Sequence, residues 1–457
     1  MSVSITDVFG IELIEVRNAD GLFRKKITGV STDSRTVGRG EIFFALRGDA
    51  YNGHKFVEQA FKRGAVCAVV DSFKGLRSMN TRPMLMVENT TRALGQLAAT
   101  YRRRFSIPVL AVAGSNGKTT TKEMISHVLG TKYSVLSTQG NLNNHIGVPQ
   151  TLFRLRDTHD IAVVEIGTNH FGELNYLCEI LQPTHGVITN IGREHMEFFK
   201  TLNGVSRAEG ELFSALALSG VGFVNSDDRH LRIHAKKLRR SVVYGTSGSS
   251  VNVRGTVHRT DKNGCTEFTV AQRRGKKFRV RLSVPGHHAM LNALAATTIG
   301  LTFGVKPKSI RQALNAFRAV GKRMEMSRVG GVTILNDTYN ANPDSVRSAI
   351  ATLESMECNG KKIVVLGDML ELGDASVKEH AAIGAAVRRA GFDFLMTFGP
   401  MAKKMKSKFH FASKTRLMAE LEKLVVPGDI VLVKGSRGMK MEDVVVFLRE
   451  KMKKRTT

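Results

Sequence analysis

The run Ala113-Gly114-Ser115-Asn116-Gly117-Lys118-Thr119-Thr120-Thr121 has the composition of a phosphate cradle. Glycine loops turn backbone N–H groups toward an anion, and a helix N-terminus adds partial positive charge. A lysine contributes a point charge, and a threonine hydroxyl can ligate Mg²⁺. Gly114, Ser115, Asn116, Gly117, Lys118, Thr119 and Thr120 are therefore candidate nucleotide contacts. The longer form of this motif has a glycine where Val112 stands, so this is the short form GxxGKTT. A glycine turn that merely caps a helix would not need Lys118 and Thr119 in tandem.

Other groups extend that chemistry. Val163-Val164-Glu165-Ile166-Gly167 places a carboxylate at the end of an apolar strand, where open α/β sheets bind ligands. Glu165 could hold Mg²⁺ beside a triphosphate, with Thr119 as a second oxygen. His195, in Asn190-Ile191-Gly192-Arg193-Glu194-His195, is either another Mg²⁺ ligand, a phosphate neighbour or a satisfied polar residue. Asn143 and Asn144 are either amide donors to a bound phosphate or peptide, or turn-forming residues of a solvent loop. Arg323 could cover the triphosphate and neutralise charge that builds in transfer, or be a surface linker arginine. Asp337 could accept from ribose hydroxyls. Lys434 and Arg437, after an apolar strand, would make a cationic face fit for a carboxylate.

These residues need strands and helices to converge. Residues 1–106 read as a small α/β domain, with strands at Ile42 to Leu46 and Ala65 to Val70 and a helix at Phe56 to Arg63. Residues 107–320 alternate apolar strands (Val109 to Ala113, Ile161 to Ile166, His185 to Thr189, Val221 to Val224) with helices, which predicts a mainly parallel sheet around a P-loop. Within them, Val251 to Leu282 alternates polar and apolar residues and reads as an antiparallel addition. Residues 321–457 predict a doubly wound, Rossmann-like α/β domain, with strands at Thr333 to Leu335, Lys362 to Leu366, Phe394 to Phe398 and Ile430 to Val433.

The chain has 457 residues and a formal charge of +28, from 68 Lys and Arg against 40 Asp and Glu. Such a balance draws anionic partners. The positive residues are scattered and form no nucleic-acid motif, so nucleic acid is not expected as a partner. Lys403 to Lys408 and the tail Arg449 to Arg455 read as solvated faces. Four dispersed cysteines argue against a disulfide framework. No apolar run approaches the ~20 residues of a membrane span, and no leader pattern is evident, so a cytoplasmic protein without stable membrane insertion is expected.

Motifs along the whole chain resemble the Mur ligase family. They include Asp33-Ser34-Arg35, Phe43-Phe44-Ala45-Leu46-Arg47-Gly48, the phosphate loop, Asn143 to Pro149 and Glu165-Ile166-Gly167-Thr168-Asn169. In the last domain they are Asp337-Thr338-Tyr339-Asn340-Ala341-Asn342-Pro343, Gly367-Asp368-Met369-Leu370-Glu371-Leu372-Gly373 and Lys434-Gly435-Ser436-Arg437-Gly438. These last three resemble the member that adds a dipeptide. The resemblance implies three domains: one for the UDP end of a muramoyl precursor, one for ATP and Mg²⁺, one for D-alanyl-D-alanine. It implies an ATP-dependent ligase acting on UDP-N-acetylmuramoyl-tripeptide through an acyl phosphate, in peptidoglycan precursor synthesis. Lys118, Glu165, His195 and Arg323 would serve catalysis, and Thr119, Glu165 and His195 match Mg²⁺ positions. Asn292 matches an adenine contact, and Arg323 and Asp337 match triphosphate and ribose contacts. Ser34, Arg47, Asn143, Asn144, Lys434 and Arg437 would face the substrates.

One departure stands out. Related ligases carry a lysine, carbamylated in several members, where Ser206-Arg207-Ala208-Glu209-Gly210-Glu211 has Glu209. Glu209 would then replace it at the second Mg²⁺, directly or through a water, or form only a helix pair. A ligase adding a single amino acid and a nucleic-acid-dependent ATPase are the competing readings. The third residue of the acceptor peptide and the oligomeric state are open, with a monomer expected.

Overall fold

The computed structural model describes residues 3–48, 51–76, 79, 81–216, 218–248 and 250–454. Arg455, at the end of the basic tail, lies outside them. The chain forms two compact units, and the cut between them falls inside the strand Val109–Ala113.

The first unit takes residues 1–111, 133–167 and 172–185. Its five-stranded sheet runs in the order Leu13–Arg17, Met84–Val87, Cys67–Val70, Glu41–Phe44, Gly29–Ser31. All neighbours are parallel except the first pair. Phe43, Val57, Phe61 and Met84 pack into one of its cores. The same unit holds the parallel pair Val135–Ser137 and Ile161–Glu165. Every residue of Ile161–Glu165 is buried, as its unbroken apolar run predicts for a strand covered on both sides.

The second unit takes residues 112–132, 168–171 and 186–457. Strands Val221–Asn225, Arg240–Gly245 and Val253–Thr260 pair in parallel, and Cys265–Gln272 and Phe278–Pro285 continue antiparallel. The antiparallel addition read from Val251 to Leu282 is therefore present. Its inner residues Gly255, Phe268, Val270, Val280 and Leu282 are buried, and Gly255 abuts Leu294 and Met290 of the helix His287–Thr302.

A six-stranded sheet completes this unit, in the order Glu325–Val329, Val332–Asp337, Ile430–Lys434, Lys362–Gly367, Phe394–Phe398, Phe409–Phe411. Only the first pair is antiparallel. Two cores lie on its faces. One gathers Leu335, Val346, Leu353, Val364 and Leu432; the other gathers Ile334, Ile363, Val431, Leu421 and Leu448. This is the expected doubly wound α/β architecture. The lysine-rich stretch from 403 to 408 is less uniform than a solvated face. It includes the 3₁₀ turn Ala402–Met405, which buries Ala402 and Met405 while its lysines stay exposed.

Candidate active site

The phosphate loop is shaped by two glycines with positive φ. Gly114 has φ +115°, and a Cβ there would lie 2.3 Å from Thr189 Oγ1 and 2.7 Å from its backbone nitrogen. Gly117 has φ +81° and precedes the helix Lys118–Leu129 without any side-chain cap. First-turn N–H groups of that helix are thus left for an anion. The loop is tied to the segment after the strand His185–Ile188. Ser115 N donates to Asn190 O at 2.9 Å, Thr189 Oγ1 and Asn190 Nδ2 donate to Asn116 O at 2.6 and 2.8 Å, and Gly192 N donates to Ser115 Oγ at 2.8 Å. Thr120 is half-buried in the first helical turn.

Lys118 points back over this loop. Its Nζ donates to Gly114 O at 2.5 Å and lies 3.2 Å from Glu194 Oε2. Glu209 is fully buried, and its Oε2 accepts from Gly114 N at 2.7 Å. Burial, followed by the charge of neighbouring Glu194, raises the Glu209 carboxyl well above the usual carboxylate range. Lys118 and the Gly114 amide act against that rise. Glu194 Oε1 and Glu209 Oε1 are buried without a hydrogen-bond partner among the described residues. Unsatisfied buried carboxylate oxygens call for a proton or a cation; among the described residues no three acidic, histidine or cysteine side chains gather here as a metal cluster.

Side chains from the six-stranded half converge on the same loop. Arg323 Nη2 donates to Thr119 Oγ1 at 2.9 Å, and its guanidinium lies 3.4 Å from the centre of the Tyr339 ring. Cation–π contact of this kind fixes a long side chain over a rigid plane. Asn342 Nδ2 donates to Asn116 Oδ1 at 2.8 Å. Arg193 donates to Asp344 from its backbone at 2.7 Å and from Nη1 at 2.8 Å. Asn292 borders the loop as well: a Cβ on Gly117 would lie 2.8 Å from its Oδ1.

Asp337 and Lys434 are register partners on adjacent parallel strands. Lys434 Nζ lies 2.5 Å from Asp337 Oδ2 and donates to Asn340 O at 2.8 Å, fully enclosed. Asp337 Oδ1 accepts from Met324 N at 3.0 Å. Lys434 therefore anchors its loop from within, and Arg437, exposed near the Tyr339 hydroxyl, is the cation that the loop presents. His195, with φ +46°, places Nδ1 2.8 Å from Glu371 Oε2. That close approach of the imidazole lowers the Glu371 carboxyl below its ordinary range.

The remaining candidates belong to the first unit. Glu165 is buried, accepts from Asn143 Nδ2 at 2.9 Å, and its Oε2 has no hydrogen-bond partner among the described residues. Asn144 Oδ1 accepts from Ile146 N and Gly147 N at 3.1 and 2.9 Å and so closes the turn before the helix Gly147–Leu152. That is the turn-forming reading of this asparagine. Ser34 Oγ donates to Gln59 Oε1 at 2.9 Å. Arg47 pairs with Asp71 at 2.8 Å.

Sequence reasoning assigned no chemistry to Glu194 or Tyr339. Both sit beside motif residues far away in sequence, and only a tertiary contact distinguishes them from neutral neighbours.

Family models match three stretches: "Mur ligase family, catalytic domain" at 26–102, "Mur ligase middle domain" at 112–300, and "Mur ligase, glutamate ligase domain" at 322–437. The UDP-N-acetylmuramoyl-tripeptide–D-alanyl-D-alanine ligase of Bacillus subtilis is 36% identical over 439 residues, covering 93% of each chain. The enzyme of the same name from Escherichia coli is 34% identical over 461 residues, covering 98% of this chain and 99% of its own. Among solved structures, MurF from Acinetobacter baumannii superposes with TM-score 0.85 at 30% identity, covering 96% of this chain and 100% of that one. MurF ligase from Thermotoga maritima, in complex with ADP, superposes with TM-score 0.84 at 28% identity, covering 94% and 99%.

Proposed function

The chain belongs to the Mur ligase family, and from that premise we propose how its residues divide the work. It is an ATP-dependent ligase that joins D-alanyl-D-alanine to UDP-N-acetylmuramoyl-tripeptide in peptidoglycan precursor synthesis. The observation that best supports the assignment of roles is the meeting of Lys118, Thr119 and Arg323 at one helix mouth, with Arg323 arriving from a distant part of the sequence.

The tripeptide's terminal carboxylate attacks the γ-phosphorus of ATP, the bond to the bridging oxygen breaks, and ADP leaves. The resulting acyl phosphate is attacked at its carbonyl carbon by the neutral amine of D-alanyl-D-alanine. Phosphate departs, the nitrogen loses a proton, and an amide remains. Lys118 leaves Glu194 to contact the transferring phosphates, and Arg323 leaves Thr119 to neutralise charge spreading over the γ-phosphoryl oxygens. The loop amides from Gly114 to Thr120 hold the phosphate chain. Asn292 contacts the adenine and Asp337 the ribose. Mg²⁺, when bound, neutralises triphosphate charge, and Thr119, Glu165, His195 and Glu209 are the residues proposed to hold it. Ser34 and Arg47 contact the UDP end and Asn143 the precursor, with Asn144 closing the turn that carries Asn143; Arg437, on the loop that Lys434 anchors, receives the dipeptide carboxylate.

The domains proposed for these tasks are residues 1–106, 107–320 and 321–457, working as a cytoplasmic monomer. No helix among the described residues is long and apolar enough to cross a membrane.

Turnover of ATP with UDP-N-acetylmuramoyl-tripeptide, with and without D-alanyl-D-alanine, followed by product mass, tests this reading. The expected result is dipeptide-dependent formation of the pentapeptide precursor with equal ADP. Comparable product from a single amino acid would overturn it.

A further inference from the structure

The positive charge of this chain is unevenly placed. Residues 229–281 hold fifteen Lys and Arg against two acids, Asp261 and Glu267. Fourteen of those fifteen cations are exposed. Both acids are already engaged: Glu267 lies 2.8 Å from Arg259, and Asp261 lies 3.4 Å from Arg281. Apart from Arg279, 3.9 Å from Glu267, the other cations of this segment have no ion-pair partner among the described residues.

Strand register gathers that excess at one end of the sheet. Val221 pairs with Arg240, so the start of Val221–Asn225 lies beside the start of Arg240–Gly245. Lys236, Lys237, Arg239 and Arg240 lead into that strand. Tyr244 pairs with Val253, and Val253 with Gln272. Beyond Gln272 the hairpin turn therefore runs back toward the same end, carrying Arg273, Arg274, Lys276 and Lys277. Arg273, Arg274 and Val242 line a common open cleft of about 410 Å³. None of these eight side chains has an ion-pair partner among the described residues. Leu218, three residues before Val221, projects at this end with 80% of its surface exposed. Ile233, just before Lys236, is 62% exposed.

Unpaired cations around protruding aliphatic side chains suit an anionic lipid surface: the charges attract headgroups and the aliphatic tips enter the interface. Nucleic acid is a poorer match. The aromatic residues of this segment, Tyr244, Phe268 and Phe278, are buried or half-buried, so no stacking platform is presented. We propose that this end of the sheet, formed by the 236–240 turn, the 273–277 hairpin and Leu218, docks the enzyme peripherally and reversibly on bilayers containing anionic phospholipid.

The test is flotation of the full chain with vesicles of phosphatidylcholine, with or without phosphatidylglycerol. Binding is expected only with phosphatidylglycerol and is expected to fall as salt rises. The variant R273E/R274E/K276E/K277E should bind at least about tenfold more weakly, and Leu218→Ser about two- to fivefold more weakly. The equally charged control K403E/K404E/K406E/K408E should bind within about twofold of wild type if location matters rather than net charge. Ligase turnover without vesicles should be unchanged in all three, which reports folding independently of docking. Absence of wild-type flotation, equal binding to neutral vesicles, equal losses in the hairpin and control variants, or displacement from vesicles by duplex nucleic acid would each overturn the proposal.

Discussion

Glu209 and Tyr339 each hold one part of the proposed phosphate site in place. Glu209 fixes the Gly114 amide from below the loop. Glu209→Ala leaves that buried N–H without its acceptor, a loss of roughly 1–3 kcal/mol. ADP affinity should therefore fall about 5- to 150-fold, read by calorimetry, whereas Glu209→Gln keeps an acceptor and should recover most of it. Tyr339 holds Arg323 by its ring. Tyr339→Leu should lower kcat about tenfold while changing ADP affinity less, and Tyr339→Phe should behave like wild type, because the ring rather than the hydroxyl carries the contact. Lys118 and Thr119 were legible in the sequence because the loop that uses them is contiguous. Glu194 and Tyr339 were not, since their partners Lys118 and Arg323 are joined to them only by folding. Lys434 was legible as a loop cation, but its enclosure by Asp337 depends on the pairing of two strands.

The elements were legible where the pattern was one-sided. Buried parallel strands such as Lys362–Gly367 and Ile430–Lys434 have unbroken apolar runs that admit few other readings. The final helix Glu442–Lys454 stands out in the sequence only from Arg449 onward, as a solvated basic face. Its buried residues Val444, Val445, Leu448 and Met452 recur at helical spacing, but lysines on the outer face obscure the stripe. The strand Phe409–Phe411 is short and flanked by lysines, and sheet pairing rather than local pattern defines it. Leu432 lies fully buried in the central strand that carries Lys434. Leu432→Ala should cost about 2–5 kcal/mol in urea unfolding, with reduced turnover following from lost fold. His185 opens the strand His185–Ile188, and burial pushes its imidazole down to about 4. Above the unfolded value near 6.5 both states are neutral and the shift costs nothing; as pH falls toward 4 the unfolded state takes up the proton first and the fold loses stability. Unfolding at pH 7 and pH 4.5 should show His185→Gln losing less stability on acidification than wild type.

At the scale of the whole molecule, the second compact unit joins the phosphate loop to the doubly wound half through Arg323–Thr119, Asn342–Asn116 and Arg193–Asp344. Those contacts tie the later half to the phosphate loop, so the proposed nucleotide site draws on both. The most direct test is a crystal structure with a non-hydrolysable ATP analogue. The account predicts the terminal phosphate at the N-terminus of Lys118–Leu129, with Lys118 Nζ turned from Glu194 onto it and Arg323 in contact with its outer oxygens. A nucleotide bound elsewhere, or a phosphate at that helix with Arg323 remote from it, would contradict the account.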